Sequence, residues 1–284
     1  RSISAQKLAL SPEQYLRVRD HLLETVQPEN RDYLYDYFTD NCSTRVRDVI
    51  DLALDGALSG HFTQRPARLN FREQTRRLTA MDFWYYLGLE AGLGSPVDRP
   101  RDRWEEMFIP GVLADSLVGL SLAETAGPAA GERLLLYASS RAEPAADPPD
   151  VWSRYLLLGI LLAAAAWASG RFLSTVLGEG LLLAWALLAG TAGCVLAGLW
   201  GLTDHHAAGS NVNLLLFLPL ALLAPLRAPK KVVAVLMLAA TVTAAMLALV
   251  PGGQYNLDVL AFAAPLNLVC SALLWRGPAL FGQR

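Results

Sequence analysis

The chain has 284 residues, of which 53% are hydrophobic and 18% are charged, and its formal net charge is -2. This balance excludes a strongly basic nucleic-acid-binding protein, because phosphate binding requires concentrated positive charge. Most charged residues precede residue 150, whereas long apolar runs follow it. The composition therefore predicts a soluble first half and a membrane-embedded second half.

The first predicted element is an amphipathic helix over residues 11–26, which opens on Ser11 with Pro12 at the first helical position. Three tyrosines then alternate with other residues before Cys42, namely Tyr33, Tyr35 and Tyr37. A period of two is typical of a short strand or extended segment. We expect this segment to lead directly into a turn that carries Cys42.

A second amphipathic helix is predicted from Cys42 until Gly56 and Gly60, with Asn41 as its N-cap. The unpaired amides and the dipole at a helix start favour an anion, and hence the thiolate form of a cysteine there. The other two cysteines, Cys194 and Cys270, lie in apolar runs and are expected to be packing residues. Three cysteines so spaced fit neither a disulfide framework nor a zinc site, and no metal or cofactor is expected.

A nucleophilic thiol needs an imidazole close by. His21 is expected to be a surface or packing residue, and His61 lies at the far end of the cysteine helix. His205 and His206 lie at the end of the second apolar run, beside Asp204. Ionisable residues at a membrane boundary form a candidate functional site, although a helix cap remains an equal alternative.

Domain boundaries follow from composition. Residues 1–140 are predicted to form the soluble domain, 141–151 a linker rich in Pro and Ala, 152–276 a membrane bundle and 277–284 a tail. The bundle is predicted from five apolar runs, at about 152–170, 176–200, 212–226, 231–250 and 256–276.

The positive-inside rule orients these five runs. The basic residues that mark the cytoplasmic ends are Arg171, Arg227, Lys230, Lys231, Arg276 and Arg284. The soluble domain and His205 are then expected in the periplasm, and the C-terminus in the cytoplasm.

Several arginines precede the bundle, among them Arg45, Arg47, Arg72 and Arg101. Most such charges form a solvated face, but a guanidinium group also matches the geometry of a phosphate. One or two of them are therefore candidates to bind an anionic headgroup.

The motifs along the chain resemble one family, the Lnb-type lipoprotein N-acyltransferases. The resemblance is carried by Tyr35-Asp36-Tyr37-Phe38-x-x-Asn41-Cys42-Ser43-Thr44-x-x-Arg47-Asp48, Phe71-Arg72, Gly94 to Asp98, Glu106-Met107-Phe108-x-Pro110, Thr203-x-His205, Asn211-x-Asn213-Leu214-Leu215 and Pro219. It implies an α+β periplasmic thiol domain, similar to permuted NlpC/P60 and lecithin:retinol acyltransferase proteins, followed by an all-α membrane bundle of about five helices.

The resemblance also implies a reaction. Cys42 would take an acyl chain from a phospholipid as a thioester and pass it to the α-amino group of a lipoprotein's lipidated N-terminal cysteine. Asn41 and backbone amides of the cysteine turn are candidates for oxyanion stabilisation. The candidate substrate-binding residues are Tyr37, Arg45, Arg72, Asn211 and Asn213. The partners expected are the phospholipid donor, the apolipoprotein acceptor and the inner membrane.

The chain departs from the permuted group at the catalytic base. That group is expected to carry a histidine on a strand before the cysteine, within a Gly-His pair, and Gly60-His61 follows Cys42 instead. We expect the base to lie upstream of Arg1 in an N-terminally incomplete domain, or otherwise to be His205.

Two alternatives to acyl transfer remain. A thiol hydrolase, either a phospholipase or a peptidoglycan amidase, would share Cys42 and differ only in using water to resolve the thioester. A membrane scaffold or transport protein would instead use Asp204, His205 and His206 along an ion path. Alkylation of Cys42 would abolish acyl transfer and leave a scaffold or transport function intact.

Overall fold

A computed structural model describes residues 2–122, 127–226 and 228–281. Its helices are α1 (Pro12–Thr25), α2 (Cys42–Ala53), α3 (Ala57–Phe62), α4 (Phe71–Thr79), α5 (Phe83–Gly92), α6 (Arg103–Glu106), α7 (Pro110–Gly119), α8 (Trp152–Ala168), α9 (Thr175–Leu202), α10 (Lys230–Leu247) and α11 (Leu257–Arg276). Its strands are β1 (Ile3–Ala5), β2 (Ser121–Leu122), β3 (Gly127–Pro128) and β4 (Leu134–Tyr137).

The chain forms two compact units. The first comprises Arg1–Phe71 and Pro100–Pro144, and the second comprises Arg72–Arg99 and Ala145–Arg284. Most of α4 and all of α5 therefore pack with the apolar second half. The boundaries predicted from composition remain a prediction, since composition separates soluble from apolar sequence and does not report which segments pack together.

The first unit is mostly helical. The predicted N-terminal helix is confirmed as α1, where Ser11 Oγ accepts a hydrogen bond from the Gln14 amide and Gln14 Oε1 accepts one from the Ser11 amide. The predicted cysteine helix is confirmed as α2, which ends before Gly56. That glycine has a φ of +78°, a conformation that a side chain would strain.

Two small antiparallel sheets complete the first unit. In one, β1 pairs with β4 through Ser4 opposite Leu135, and in the other β2 pairs with β3. The core of the unit comprises Ile50, Leu54, Leu58, Phe62, Met107, Leu113, Leu117, Leu120, Ala129 and Ala130. The permuted NlpC/P60-like architecture remains a prediction.

The tyrosine segment before Cys42, predicted as a short strand or an extended segment, forms no strand and closes in a turn at residues 36–40. Asp36 and Asp40 form a bridge across it, and Asp36 Oδ1 accepts hydrogen bonds from the amides of Phe38 and Thr39. An aspartate that binds the amides ahead of it stabilises a turn, which overrides the alternating pattern.

Among its described residues, the second unit contains four helices that are long and apolar enough to cross a membrane. They are Trp152–Leu173, Thr175–Leu202, Lys230–Leu247 and Leu257–Phe281. Cys270 is buried in this unit as expected, whereas Cys194 is exposed on α9, so it is not a packing residue within the described structure.

The prediction of about five helices is wrong at the third apolar run. That run forms two short 3-10 helices, Val212–Leu215 and Pro219–Leu223. Their backbone lies against α9, where an added Cβ at Gly193 would meet the Phe217 carbonyl oxygen at 1.8 Å. Non-helical backbone is tolerated at membrane depth where protein buries it and satisfies its hydrogen bonds.

One end of the second unit is positively charged. Gly170, Gly178 and Phe281 meet there, and the Lys231 ammonium lies 5.5 Å from the centre of the Trp275 ring. Arg171 follows the C-terminus of α8, Lys230 begins α10 and Arg276 ends α11, so all three lie at helix ends of this region. Arg227 and Arg284 lie outside the described residues. The orientation of this end toward the cytoplasm remains a prediction.

Candidate active site

Cys42 occupies the first turn of α2, and Asn41 builds that turn. Asn41 Oδ1 accepts hydrogen bonds from the amides of Ser43 at 2.8 Å and Thr44 at 2.9 Å. In return, Thr44 Oγ1 accepts from the Asn41 amide at 2.8 Å. This reciprocal cap fixes the backbone on both sides of the thiol.

The same turn is tied to the segment before α7. Asn41 Nδ2 donates to the carbonyl oxygens of Tyr37 and Phe108, at 3.0 and 3.1 Å. Ser43 Oγ donates to the Met107 carbonyl oxygen at 2.7 Å. The two buried polar side chains that flank Cys42 are thus anchors, and the thiol is the exposed group between them.

These contacts favour a positioning role for Asn41. Its amide nitrogen donates to two carbonyl groups and its oxygen accepts from two amides, and its part in oxyanion stabilisation remains a prediction. The Ser43, Thr44 and Arg45 amides all bind Asn41. Among the described residues, the Cys42 amide has no acceptor and is the donor in this turn that remains available.

Two cavities meet at the thiol. The larger, of about 960 Å³, lies between α1 and α2, and the smaller, of about 480 Å³, lies between α2 and α7. Leu8, Cys42, Val46 and Ile50 line both. The sequence did not predict these cavities, because they depend on how three helices pack.

Charged and aromatic groups line the larger cavity. Arg45 pairs with Asp40, with Nη2 to Oδ2 at 2.6 Å, and its guanidinium lies 4.1 Å from the centre of the Tyr33 ring. Arg45 is half exposed and keeps a face toward the cavity. Of the predicted substrate-binding residues, Arg45 is therefore the one beside Cys42 on a cavity wall.

The tyrosines before Cys42 are exposed. Tyr37 contacts Tyr35 edge-on, with ring centres 5.6 Å apart. Burial raises the pKa of the Tyr35 phenol, and charge on Cys42 raises it further. Tyr37 remains a predicted substrate contact.

The histidines divide between the two units. His21 lines the larger cavity together with Cys42, although its sequence context indicated a surface or packing residue. His205 belongs to the second unit, where it is exposed and its Nδ1 lies 2.9 Å from Thr203 Oγ1. The position of His21 depends on the packing of α1 against α2, which the local sequence does not report.

Arg72 has a structural position. Only 1% of its surface is exposed. Its Nε and Nη2 donate to the two oxygens of Asp98, at 2.7 and 3.0 Å, and Nη2 also donates to the carbonyls of Leu93 and Gly94. An arginine enclosed in this way holds the loop after α5, and its binding of a phosphate remains a prediction.

Asn211 and Asn213 are likewise structural. Asn211 Nδ2 donates to the carbonyl oxygens of Ala91 and Gly92, and Asn213 Nδ2 donates to that of Glu90. Because the last carbonyls of a helix have no partner within it, this motif caps the C-terminus of α5. These contacts attach α5 to the apolar part of its own unit, and a role of the two asparagines in substrate binding remains a prediction.

A buried polar cluster in the second unit was missed in the sequence. Tyr86 donates to Asp258 Oδ2 at 2.7 Å and accepts from Arg76 Nε at 2.9 Å. Burial raises the pKa of Glu90 to about 7, against the opposing charges of Arg72 and Arg76. Asp258, an acidic residue opening an apolar run, was the one available signal. No three His, Cys, Asp or Glu side chains gather as a metal ion would require within the described residues.

An exposed thiol on a helix N-terminus, in a chain that also carries an apolar helical bundle, defines a membrane protein with a candidate thiol site. Residues 1–80 match the model of the Lnb N-terminal periplasmic domain, and residues 147–277 match that of the Lnb transmembrane domain. The chain belongs to the Lnb family, with a periplasmic domain fused to membrane helices. Comparisons with curated proteins and with solved structures gave no match.

Membership of this family confirms the resemblance seen in the motifs. It indicates a lipoprotein-related function for a protein associated with the membrane. It also places the domain that carries Cys42 in the periplasm.

Proposed function

We propose that this protein is a cysteine-dependent lipoprotein N-acyltransferase. The Cys42 thiolate attacks the carbonyl carbon of a phospholipid ester, a sulfur–carbon bond forms and the carbon–oxygen bond breaks. The lysophospholipid leaves as an alkoxide and takes up the proton that the thiol released. The enzyme then holds the acyl chain as a thioester.

The second step moves the acyl chain to nitrogen. The free α-amino group of a lipoprotein's lipidated N-terminal cysteine attacks the thioester, an amide bond forms and the Cys42 thiolate leaves. The nitrogen loses one proton. Both substrates are anchored in the membrane to which this chain is attached, which supports this choice of donor and acceptor.

The observation that carries the proposal is the exposed Cys42 thiol between two cavities, with its own amide unpaired. A helix N-terminus favours a thiolate. An amide donor beside the attacked carbonyl stabilises the developing oxyanion. The packing of the turn onto Met107 and Phe108 holds both groups in place without occupying them.

The decisive experiment measures the intact mass of the full-length protein after incubation with phosphatidylethanolamine vesicles and no acceptor. We expect an adduct with the mass of an acyl chain that hydroxylamine removes and that Cys42→Ala lacks. Absence of any adduct on the folded wild-type protein would reject the thioester and favour a scaffold or transport role.

A second stage separates transfer from hydrolysis. A diacylated peptide with a free N-terminal cysteine amine is added to the acylated protein, and the peptide's mass is followed. Gain of an acyl chain by the peptide supports the transferase. Release of free fatty acid at the same rate with and without the peptide would identify a hydrolase.

The imidazole that assists Cys42 is tested by comparing His21→Gln with His205→Gln. The rate at which iodoacetamide alkylates Cys42 is measured by mass spectrometry of the peptide that contains it. A slower rate in one variant identifies that histidine as the partner. Equal rates in both variants and the wild type would show that neither supplies the base.

A further inference from the structure

The two cavities that meet at Cys42 differ in chemistry. The larger is lined by several charged or titratable side chains, namely His21, Glu24, Arg31, Arg45 and Asp48. The smaller has none of these on its wall, which is formed by Gln6, Leu8, Cys42, Ser43, Val46, Ile50, Pro110, Leu113, Ala114 and Leu117. The wall of the larger cavity also carries apolar side chains, among them Val18, Leu22 and Val49. One thiol therefore faces a mixed space that contains charged groups and an apolar space that contains none.

The polar groups of the smaller cavity are already paired within the protein. Gln6 Nε2 donates to the carbonyl oxygens of Ala114 and Gly131, both at 3.0 Å. Ser43 Oγ donates to the Met107 carbonyl oxygen. A ligand in this cavity would therefore contact mainly the apolar side chains of Val46, Leu113 and Leu117, which favour an apolar occupant.

The size of the smaller cavity suits such an occupant. Its volume of about 480 Å³ lies within the range of roughly 300–1,000 Å³ that small-molecule sites span. It reaches Cys42 directly, so a chain attached to the sulfur would enter it without crossing the charged wall of the larger cavity.

We propose that the smaller cavity, between α2 and α7, is the acyl-chain site of the Cys42 thioester. The larger cavity is then the side from which the polar groups of donor and acceptor approach the carbonyl. This inference rests on the proposed acyl transfer. It adds where the acyl chain lies and which residues limit the length of that acyl chain. Ala114 has a small side chain on the cavity wall, and the test replaces it by a larger one.

The test fills the cavity by Ala114→Trp and uses Val118→Trp as the matched control. Val118 lies four residues further along α7, is 40% exposed and belongs to neither cavity wall. Full-length proteins are incubated with vesicles of equal amounts of dilauroyl- and dipalmitoyl-phosphatidylethanolamine. The ratio of lauroyl to palmitoyl adduct on Cys42 is read from the intact mass.

We expect Ala114→Trp to raise the lauroyl-to-palmitoyl ratio at least about tenfold over the wild type, because each excluded methylene loses its burial. Val118→Trp should leave the ratio unchanged. An unchanged ratio in folded Ala114→Trp, or an equal change in both variants, would overturn the assignment. A wild-type protein that forms no adduct with either lipid would instead contradict the proposed function.

A second pair of variants keeps the test decisive if Ala114→Trp does not fold. Ala114→Met fills less of the cavity and is expected to shift the ratio in the same direction by a smaller factor. Val18→Trp fills the larger cavity, where Val18 lies on the wall, and should leave the ratio unchanged. A shift with Val18→Trp and none with Ala114→Met would assign the chain to the larger cavity and refute the proposal.

Discussion

Asn41 uses both ends of its amide to hold the turn that presents Cys42. Its oxygen caps α2, and its nitrogen binds the carbonyls of Tyr37 and Phe108. The position of Asn41 directly before Cys42 in the sequence suggests a catalytic role. Its contacts favour a role in positioning the thiol.

Replacing Asn41 should therefore act on the stability of the turn. Asn41→Ala removes a helix cap and leaves two carbonyls unpaired, so we expect the first unit to lose about 2 to 4 kcal/mol. Ser11→Ala removes only the cap of α1 and should cost about 1 kcal/mol. Hydrogen exchange of the α2 and α1 peptides measures both, and an equal effect of the two substitutions would contradict the anchoring role of Asn41.

The raised pKa of Glu90 predicts how the stability of the protein depends on pH. Burial raises its pKa to about 7 in the folded protein, from an ordinary value of 4.5. Between these values the folded state retains a proton that the unfolded state has lost, so stability falls as pH rises through this window. Glu90→Gln removes this proton loss, so its thermal midpoint should rise relative to that of the wild type as the pH increases from 5 to 8.

The measurement is thermal unfolding in detergent at several pH values, with Glu24→Gln as an exposed control. The control should follow the wild type throughout the range. A constant difference between Glu90→Gln and the wild type would show that Glu90 does not titrate in this window.

At the scale of elements, the third apolar run shows how the bundle accommodates irregular backbone. Asn267, within α11, donates to the Leu216 carbonyl oxygen and to Thr241 Oγ1, both at 3.0 Å. It also accepts from Trp185 Nε1 at 2.9 Å. One amide thus connects α9, α10, α11 and the 3-10 segment at the middle of the unit.

Asn267→Ala should consequently destabilise the second unit. The substitution leaves the Leu216 carbonyl and the Trp185 nitrogen without partners in an apolar environment, and we expect a loss of about 1–3 kcal/mol. Thr243→Ala removes an exposed hydroxyl that binds only its own helix, at the Ala239 carbonyl, and should have little effect. Thermal unfolding in detergent compares them, and equal midpoints would show that the Asn267 contacts contribute nothing net.

At the scale of the whole molecule, the charged ends of the helices predict the orientation. Arg171, Lys230, Lys231 and Arg276 share one end of the second unit, whereas Asn211 and Gln254 bind the segment around α5 at the other. Lys and Arg side chains in the loops next to membrane spans are more frequent on the cytoplasmic side. We therefore propose that the end with Lys231 is cytoplasmic and the end with His205 periplasmic.

A membrane-impermeant thiol reagent tests this orientation. Single cysteines are introduced as Lys231→Cys or His205→Cys in a background that carries Cys42→Ala, Cys194→Ala and Cys270→Ala. In intact spheroplasts we expect labelling of the His205→Cys protein alone, and of both proteins after permeabilisation. Labelling of Lys231→Cys in intact spheroplasts would reverse the topology.

The local sequence determined the elements whose signals are short in range. The capped starts of α1 and α2, the place of Cys42 in the first turn of α2 and four of the five predicted apolar helices all follow from capping residues, apolar spacing and hydropathy. These properties depend on residues within one or two turns of each other. The motifs around Cys42 and in the apolar half were also sufficient to identify the family.

The tertiary structure alone decided what those residues contact. It enclosed Arg72 and the Asn211 motif as supports for α5, placed His21 on the wall beside Cys42 and formed two cavities at the thiol. It also replaced the third predicted helix by 3-10 segments packed against Gly193. A polar residue suits substrate binding and internal hydrogen bonding equally well in sequence, and only the partners that folding brings within reach distinguish the two roles.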